Sequence, residues 1–163
     1  MLTAYCTAAG TQQVFPNGAA SLQFYMSQSV ALDGSKQRYR TVLYHQNKNK
    51  VSLDTDEGPF VVFGVEFVPF CSRLFFATCL LEKLYFTPEE LQDEGFAALS
   101  RSIHEADGAE ERVKLLDDFF MERLSRIPAD DVNLERLNDV FDEIVPTDGS
   151  VARPPKSQGR LLS

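Results

Sequence analysis

The chain has 163 residues, of which 44% are hydrophobic and 25% are charged, and it contains thirteen Phe but no Trp. This apolar content excludes intrinsic disorder for most of the length, and the size fits one globular domain, with or without an appendage. The net charge of −8 is concentrated in the second half of the chain, where it would repel a phosphate backbone, so we expect no direct binding of nucleic acid. Cys6, Cys71 and Cys79 form no C-x-x-C pair. Together with the lack of a signal peptide or a long apolar run, they predict a location in the reducing cytoplasm, without membrane association.

The first 70 residues have the patterns of short β-strands separated by turns. Strands are predicted in SLQFYM (21–26), RYRTVLYH (38–45), VSLD (51–54) and FVVFGVEFV (60–68). The last of these is apolar on both faces except at Glu66, so we expect it to lie deep within the β layer. Five or six strands of this kind predict a small barrel or sandwich, with no helix before residue 70.

After residue 70 the hydrophobic period becomes that of helices. Helices are predicted in SRLFFATCLLEKLYF (72–86), in 91–103 with an interruption at Gly95, in 109–127 and in 131–145. Thr87, Pro88 and Glu90 stand where a capping box and the first turn of a helix place such residues. Residues 147–163 contain a double proline and no period, which predicts a flexible tail.

The sequence contains no arrangement of residues typical of a catalytic or metal site. His45 and His104 lie in different halves of the chain, without metal-ligand neighbours, and the common hydrolase, phosphate-loop and dinucleotide motifs are absent. We interpret Asp54, Asp56 and Glu57 as part of a turn rather than as a cation site. We therefore expect no enzyme activity, no metal and no other cofactor.

Glu66 and the aromatic residues of the β half are each open to more than one interpretation. Burial of a carboxylate is costly unless it is paired, so Glu66 either points to solvent, pairs with Arg73 or contacts a ligand; a catalytic role would need a partner that is not in view. The aromatic residues either fill a small barrel or line an apolar pocket in which a tyrosine hydroxyl orients a ligand. The residues predicted to line such a pocket are Phe24, Tyr39, Tyr44, Phe63 and Glu66.

Four segments occur in a distinctive order along the chain. They are FPNGAASLQFYM (15–26), FGVEFVPF (63–70), LFFATCLLEKLYF (74–86) and EERVKLLDDFFMERL (110–124). Over residues 12–145 this order resembles the N-terminal domain of a group of bacterial AraC-family transcription regulators. In those proteins a P-[DN]-G strand, a G-V-x-F-x-P join and an E-x-R-x-x-x-L-x-x-F-L-x-x-R-L helix precede the DNA-binding part. The resemblance implies a cupin-like β-roll followed by a helical bundle, which senses a small molecule, dimerises or does both.

The chain departs from the family pattern at three places. Family members often have Gly soon after the join proline, where this chain has Pro69-Phe70-Cys71, and the segment before the first strand is short. The tail DGSVARPPKSQGRLLS (148–163) contains no recognition-helix pattern. We therefore expect either one domain of a longer protein or a truncated gene product, in which DNA is contacted only through a missing C-terminal helix-turn-helix part.

The predicted fold class is α+β, with the cupin-like antiparallel β-roll or barrel that the resemblance implies at 1–70. A helical subdomain at 71–146 is expected to pack on it, followed by the tail. The predicted function is regulatory, through a small-molecule effector, a homodimer, or both. The dimer would form through the apolar stripe of one of the predicted helices at 109–127 and 131–145. A small cupin-type enzyme and a pure dimerisation module with a filled barrel are the alternatives. A rigid join from strand to helix at residues 64–76 would let a change inside the β layer move the helices.

Overall fold

The computed structural model shows an α+β chain in the residues that it describes. These are residues 2–7, 10–14, 19–45, 50–56, 60–67, 71–76 and 83–127. Within these ranges, nine strands form two antiparallel sheets, accompanied by four helices. The chain divides into one compact unit, Met1–Arg126, and a second, Ile127–Ser163. The predicted helix at 131–145 and the predicted tail lie outside the described residues.

The two sheets are built from strands that are distant in sequence. The strands are β1 (Leu2–Thr7), β2 (Thr11–Val14), β3 (Ser21–Tyr25), β4 (Val30–Leu32), β5 (Arg38–Tyr39), β6 (Thr41–Tyr44), β7 (Val51–Asp54), β8 (Phe60–Glu66) and β9 (Tyr85–Phe86). Sheet A has the order β1-β8-β3-β6-β9, and sheet B has the order β2-β7-β4-β5. The strands of the described ranges thus pair within two separate sheets, and no pairing among them closes a barrel.

The sheets pack face to face over an apolar core that we call the inter-sheet core. Its buried members are Tyr25, Val42, Tyr44, Phe60 and Val62 from sheet A and Val30, Leu32, Val51 and Leu53 from sheet B. The opposite face of sheet A is also buried, as the apolar pattern of β8 predicted, because the helices cover it. Since β8 lies between β1 and β3, its predicted position deep within the β layer is confirmed.

The helices are α1 (Ser72–Phe75), α2 (Pro88–Leu91), α3 (Glu94–Glu105) and α4 (Ala109–Ser125). They cover sheet A over a second core, the helix-side core, which is rich in Phe. Its buried members are Ala20, Leu22, Phe24, Leu43, Phe63, Phe67, Phe76, Phe86, Phe96, Leu99, Ile103, Leu116 and Phe119. Phe67 at the end of β8 contacts Phe75 and Phe76 at centroid distances of 5.9 and 6.1 Å. The predicted packing of the strand-to-helix join is therefore present at these residues.

The boundaries of the helices follow from their caps. Thr87 forms the predicted capping box with Glu90 at the start of α2. Asp93 accepts a hydrogen bond from the Phe96 backbone N–H and so caps α3. The helix interruption predicted at Gly95 is wrong in position. The break falls at Gln92, which has a left-handed backbone with φ of 51°, and Gly95 lies inside the first turn of α3.

Two predicted elements differ from the structure. The segment 72–86 is not one helix: α1 ends at Phe75, and Tyr85–Phe86 forms β9, the edge strand beside β6. An apolar run does not distinguish a helix from a buried strand, and pairing with the free edge of β6 decides the outcome. The predicted strand 38–45 is also divided, because the chain passes from sheet B to sheet A at Arg40, which lies between β5 and β6.

Gly64 marks the closest approach of β8 to its neighbour. It lies opposite Gln23 of β3, and a Cβ built on it would lie 2.6 Å from the Leu22 carbonyl oxygen. No larger residue fits there without displacement of backbone. The glycine of the join segment therefore sets the spacing of the two central strands of sheet A.

Candidate functional site

The structure does not bring the five predicted pocket residues together in one pocket. Phe24 and Phe63 lie in the helix-side core, with ring centroids 6.2 Å apart. Tyr44 lies in the inter-sheet core, where its hydroxyl is 2.7 Å from that of Tyr25. The Tyr25 hydroxyl also donates to Gln23 Oε1 at 2.9 Å. The aromatic side chains within the sandwich are thus core residues that pack on one another.

The remaining two predicted residues lie nearer the surface. Glu66 is half-buried at the end of β8, opposite Ser21 of β3. Tyr39 is half-buried in β5 and contacts the ring of Tyr85 at 6.2 Å. Of the five, only Tyr39 lines the groove described next.

An open groove of about 320 Å³ lies where the strands meet the helices. Its volume is at the small end of the range for small-molecule sites. The lining residues are Gln37, Arg38, Tyr39, Arg40, Thr41, Pro88, Glu89 and Ser100. One wall is therefore the crossing from β5 to β6, and the other is formed by α2 and α3.

A polar cluster of three side chains joins the two walls at this groove. The Thr41 hydroxyl of β6 lies 2.6 Å from the Ser100 hydroxyl and 3.1 Å from His104 Nε2, both on α3. The ring of His104 also contacts the ring of Phe24 edge to face, at 6.1 Å. This cluster provides polar contacts between sheet A and α3 in an otherwise apolar interface.

One hydroxyl of the cluster keeps a free donor. His104 Nδ1 is buried and has no hydrogen-bond partner among the described residues. We therefore assign the ring proton to Nε2, which can donate it to Thr41 Oγ1. Either Thr41 or Ser100 donates in the bond between their hydroxyls, and the O–H of the other is available to a ligand in the groove, which both residues line.

His104 is held in its neutral form. Burial and the positive charge of Arg40 lower the pKa of the ring from 6.5 to about 4, and Arg112 acts in the same direction, against the opposing effect of the Arg40 carbonyl. A histidine with this pKa is a weak base at neutral pH, and no carboxylate from the described ranges orients its free nitrogen. The arrangement therefore suits hydrogen bonding to a ligand better than activation of Ser100 or Thr41 as a nucleophile.

The charged residues of the groove differ in whether an opposite charge pairs with them. Arg38 pairs with Asp56 at 2.6 Å and also donates to the Ser29 carbonyl. Arg40 donates to the Met26 carbonyl, at 3.2 Å. Arg40 and Glu89 take part in none of the ion pairs found in the described part of the chain. With respect to these residues, the groove thus presents one unpaired positive and one unpaired negative charge.

Sequence reasoning missed Thr41, Ser100 and the role of His104. Ser100 and His104 are four residues apart on the helix whose apolar face carries Phe96, Leu99 and Ile103, so their shared side of α3 was a usable signal. Thr41 could not be connected to them, since 59 residues separate it from Ser100. Only the packing of α3 on β6 brings the three together.

No protein-family model and no curated protein matches this sequence. Among the described helices, none has the length and apolar character needed to cross a membrane. In the same residues, no group of three or more His, Cys, Asp or Glu side chains is placed to hold a metal ion.

Proposed function

We propose that the chain is the regulatory, non-catalytic domain of a cytoplasmic bacterial transcription regulator, and that the strand–helix groove is its small-molecule site. The observation that carries the proposal is the shared construction of the groove. Residues 37–41 contain β5 and the first residue of β6, whereas Pro88, Glu89 and Ser100 belong to the helices. A ligand in the groove would contact both layers at once.

The polar cluster gives such a ligand a way to affect the helices. Thr41 and Ser100 both line the groove, and their hydroxyls also link β6 to α3. A ligand that hydrogen-bonds to either hydroxyl competes with this link or strengthens it. Arg112 of α4 donates to the Ile103 and Ala106 carbonyls at the end of α3, and Arg123 of α4 pairs with Asp93 at its start. Because α4 is tied to both ends of α3, a shift of α3 would be passed to α4.

The sequence resemblance supplies the regulatory context of this proposal. It relates the sandwich to a cupin-like roll and the helices to a bundle that leads to helix-turn-helix units in AraC-family regulators. The chain would then contact DNA only through such a C-terminal part. Purified alone, it should show no sequence-specific binding of DNA.

A binding test can separate this proposal from a filled, ligand-free module. The melting temperature of the chain would be measured with fractions of small metabolites from bacterial extract, because a ligand that binds only the folded state raises stability. Gln37→Trp fills the groove from an exposed lining residue. Lys36→Trp adds the same side chain at the neighbouring exposed position, which does not line the groove.

We expect one or more fractions to raise the melting temperature of the natural chain and of Lys36→Trp, but not of Gln37→Trp. The ligand proposal is contradicted if no fraction has an effect, or if Gln37→Trp responds as the natural chain does.

Dimerisation is a second candidate function, favoured by the outer face of α4. Met121 and Leu124 are large apolar residues with 65% and 40% of their surface exposed. Such a pair could pack across a two-fold axis. Sedimentation equilibrium should then show a dimer that is weakened by Met121→Glu and unaffected by Glu122→Gln, which changes the neighbouring exposed position. A monomer at all concentrations would remove this candidate and leave the ligand proposal standing.

A further inference from the structure

The groove holds two opposite charges that face the same space without neutralising each other. Arg40 stands on the strand wall and Glu89 on the helix wall, and both are exposed. Neither belongs to an ion pair in the described residues. By contrast, Arg38 on the same strand wall is neutralised by Asp56. The unsatisfied charges of the groove are therefore one of each sign, on opposite walls.

The groove also offers directional hydrogen bonds. With the His104 ring proton on Nε2, Thr41 and Ser100 share one hydrogen bond between their hydroxyls, so one of the two O–H groups has no acceptor among the described residues. A carboxylate accepts well from a guanidinium and a hydroxyl together. An ammonium group needs acceptors, which the Glu89 carboxylate provides.

We propose that the groove binds a small zwitterion, a molecule that carries both a carboxylate and an ammonium group. Its carboxylate lies against Arg40 and the free O–H of the Thr41–Ser100 hydroxyl pair, and its ammonium group lies against Glu89. The volume of about 320 Å³ fits a molecule of the size of an amino acid. The inference rests on the proposed function, in which this groove is the ligand site, and it names the chemical class of the ligand.

Matched probes test each charge separately. The labelled full chain would be titrated at low salt with 4-aminobutyrate, butyrate, butylamine and butyramide, which share a four-carbon chain and differ in charge. Glycine and 6-aminohexanoate would vary the separation of the two charges. Amide and side-chain NMR signals of the groove residues would report binding and its position.

We expect at least one zwitterion to bind about three- to fivefold more tightly than the probes with a single charge, as befits one additional exposed ion pair. Arg40→Gln should reduce its affinity to that of butylamine, and Glu89→Gln should reduce it to that of butyrate. Arg101→Gln and Glu94→Gln change exposed charges on α3 outside the groove and should have no effect. Added salt should weaken binding, because the charges are exposed.

The possible failures are distinguishable. If butyrate binds as tightly as every zwitterion, the groove binds anions and the proposed role of Glu89 is overturned. If butyramide shifts the groove signals as strongly as the charged probes, the zwitterion class is overturned while the ligand groove stands. If no probe shifts the groove signals at millimolar concentrations, the zwitterion class is overturned, and the extract screen with Gln37→Trp decides separately whether the groove binds another ligand.

Discussion

The two faces of sheet A are both buried but differ in their polar content. The face toward sheet B is closed by aliphatic residues and by the Tyr25–Tyr44 hydroxyl pair, which a third side chain, Gln23, also satisfies. The face toward the helices carries a buried histidine nitrogen without a hydrogen-bond partner among the described residues, and it borders an open groove. A buried polar group without a partner is costly and calls for an explanation. The helix side is therefore the less completely satisfied of the two faces.

Truncation of one buried Phe in each core should show whether the two faces of sheet A respond separately. Phe76 is buried against Phe67, Phe96 and Phe119 in the helix-side core, and Phe60 is buried in the inter-sheet core. We expect Phe76→Ala and Phe60→Ala each to lower the free energy of unfolding by about 3–5 kcal/mol, measured by urea denaturation. Only Phe76→Ala should shift the NMR signals of Ser100 and His104, because Phe76 packs on Phe96 of the same helix. If Phe60→Ala perturbed these two residues as much, the two cores would not be separable.

Gly64→Ala tests sheet A itself, which the two cores share. Because the new Cβ would lie 2.6 Å from the Leu22 carbonyl, β8 and β3 must move apart, and we expect a loss of about 2–3 kcal/mol in unfolding free energy. Val61→Ala on the same strand truncates a side chain that is 44% exposed and should cost less than about 1 kcal/mol. Equal losses in the two variants would show that Gly64 does not set the strand spacing.

Removal of one hydroxyl on each face of sheet A compares how much the polar groups of that face contribute to the free energy of unfolding. Thr41→Val deprives Ser100 and His104 Nε2 of their shared partner, and we expect a loss of about 1–3 kcal/mol, measured by thermal and urea unfolding. Tyr44→Phe leaves the Tyr25 hydroxyl bonded to Gln23 and should cost about 1 kcal/mol. A greater loss from Tyr44→Phe would reverse the ranking of the two faces.

Arg123 tests how the helices hold together. Its guanidinium lies 4.2 Å from the Phe119 ring centroid, pairs with Asp93 at 2.6 Å and donates to the Phe75 carbonyl, so it links α4 to the start of α3 and the end of α1. We expect Arg123→Met to lower the free energy of unfolding by about 1–2 kcal/mol. Arg126→Met removes an exposed pair with Glu122 and should cost less than about 0.5 kcal/mol. Similar small losses in both would exclude Arg123 as a link between the helices.

The sequence was informative wherever one local pattern governs one element. The alternation at 21–26 produced β3, the capping box produced the start of α2, and the apolar stripe at 109–127 produced α4. The apolar face of this helix is shorter than predicted, because Leu124, near its end, is 40% exposed and does not join the core. The α+β class was predictable because the change of period near residue 70 is itself local.

The sequence did not predict features that depend on contacts between residues far apart in the chain. Tyr85 and Phe86 joined a sheet because the edge of β6 was available to them, and the crossing at Arg40 depends on which sheet each half-strand pairs with. The groove has the same origin: its walls come from residues about 50 positions apart, so neither wall carries a motif. Pairing of Glu66 with Arg73 and a ligand role for Tyr39 remain predictions.

The half-buried ring of His104 should make the stability of the chain depend on pH. Since the pKa of His104 is lowered from 6.5 to about 4 in the folded chain, the unfolded chain binds a proton that the folded chain does not between these two values. The free energy of unfolding should therefore be unaffected by this group above pH 6.5 and should fall as pH decreases toward 4. We expect a loss of about 1–2 kcal/mol, because the ring is only half-buried. His104→Gln should remove this part of the pH dependence.

The most direct measurement is an NMR titration of the His104 ring in the folded chain. If the helices hold this ring against Phe24, Thr41 and the charge of Arg40, it should titrate near pH 4, well below an ordinary histidine. A pKa near 6.5 would mean that the ring is open to solvent. Thr41, Ser100 and His104 would then not form the polar cluster between β6 and α3.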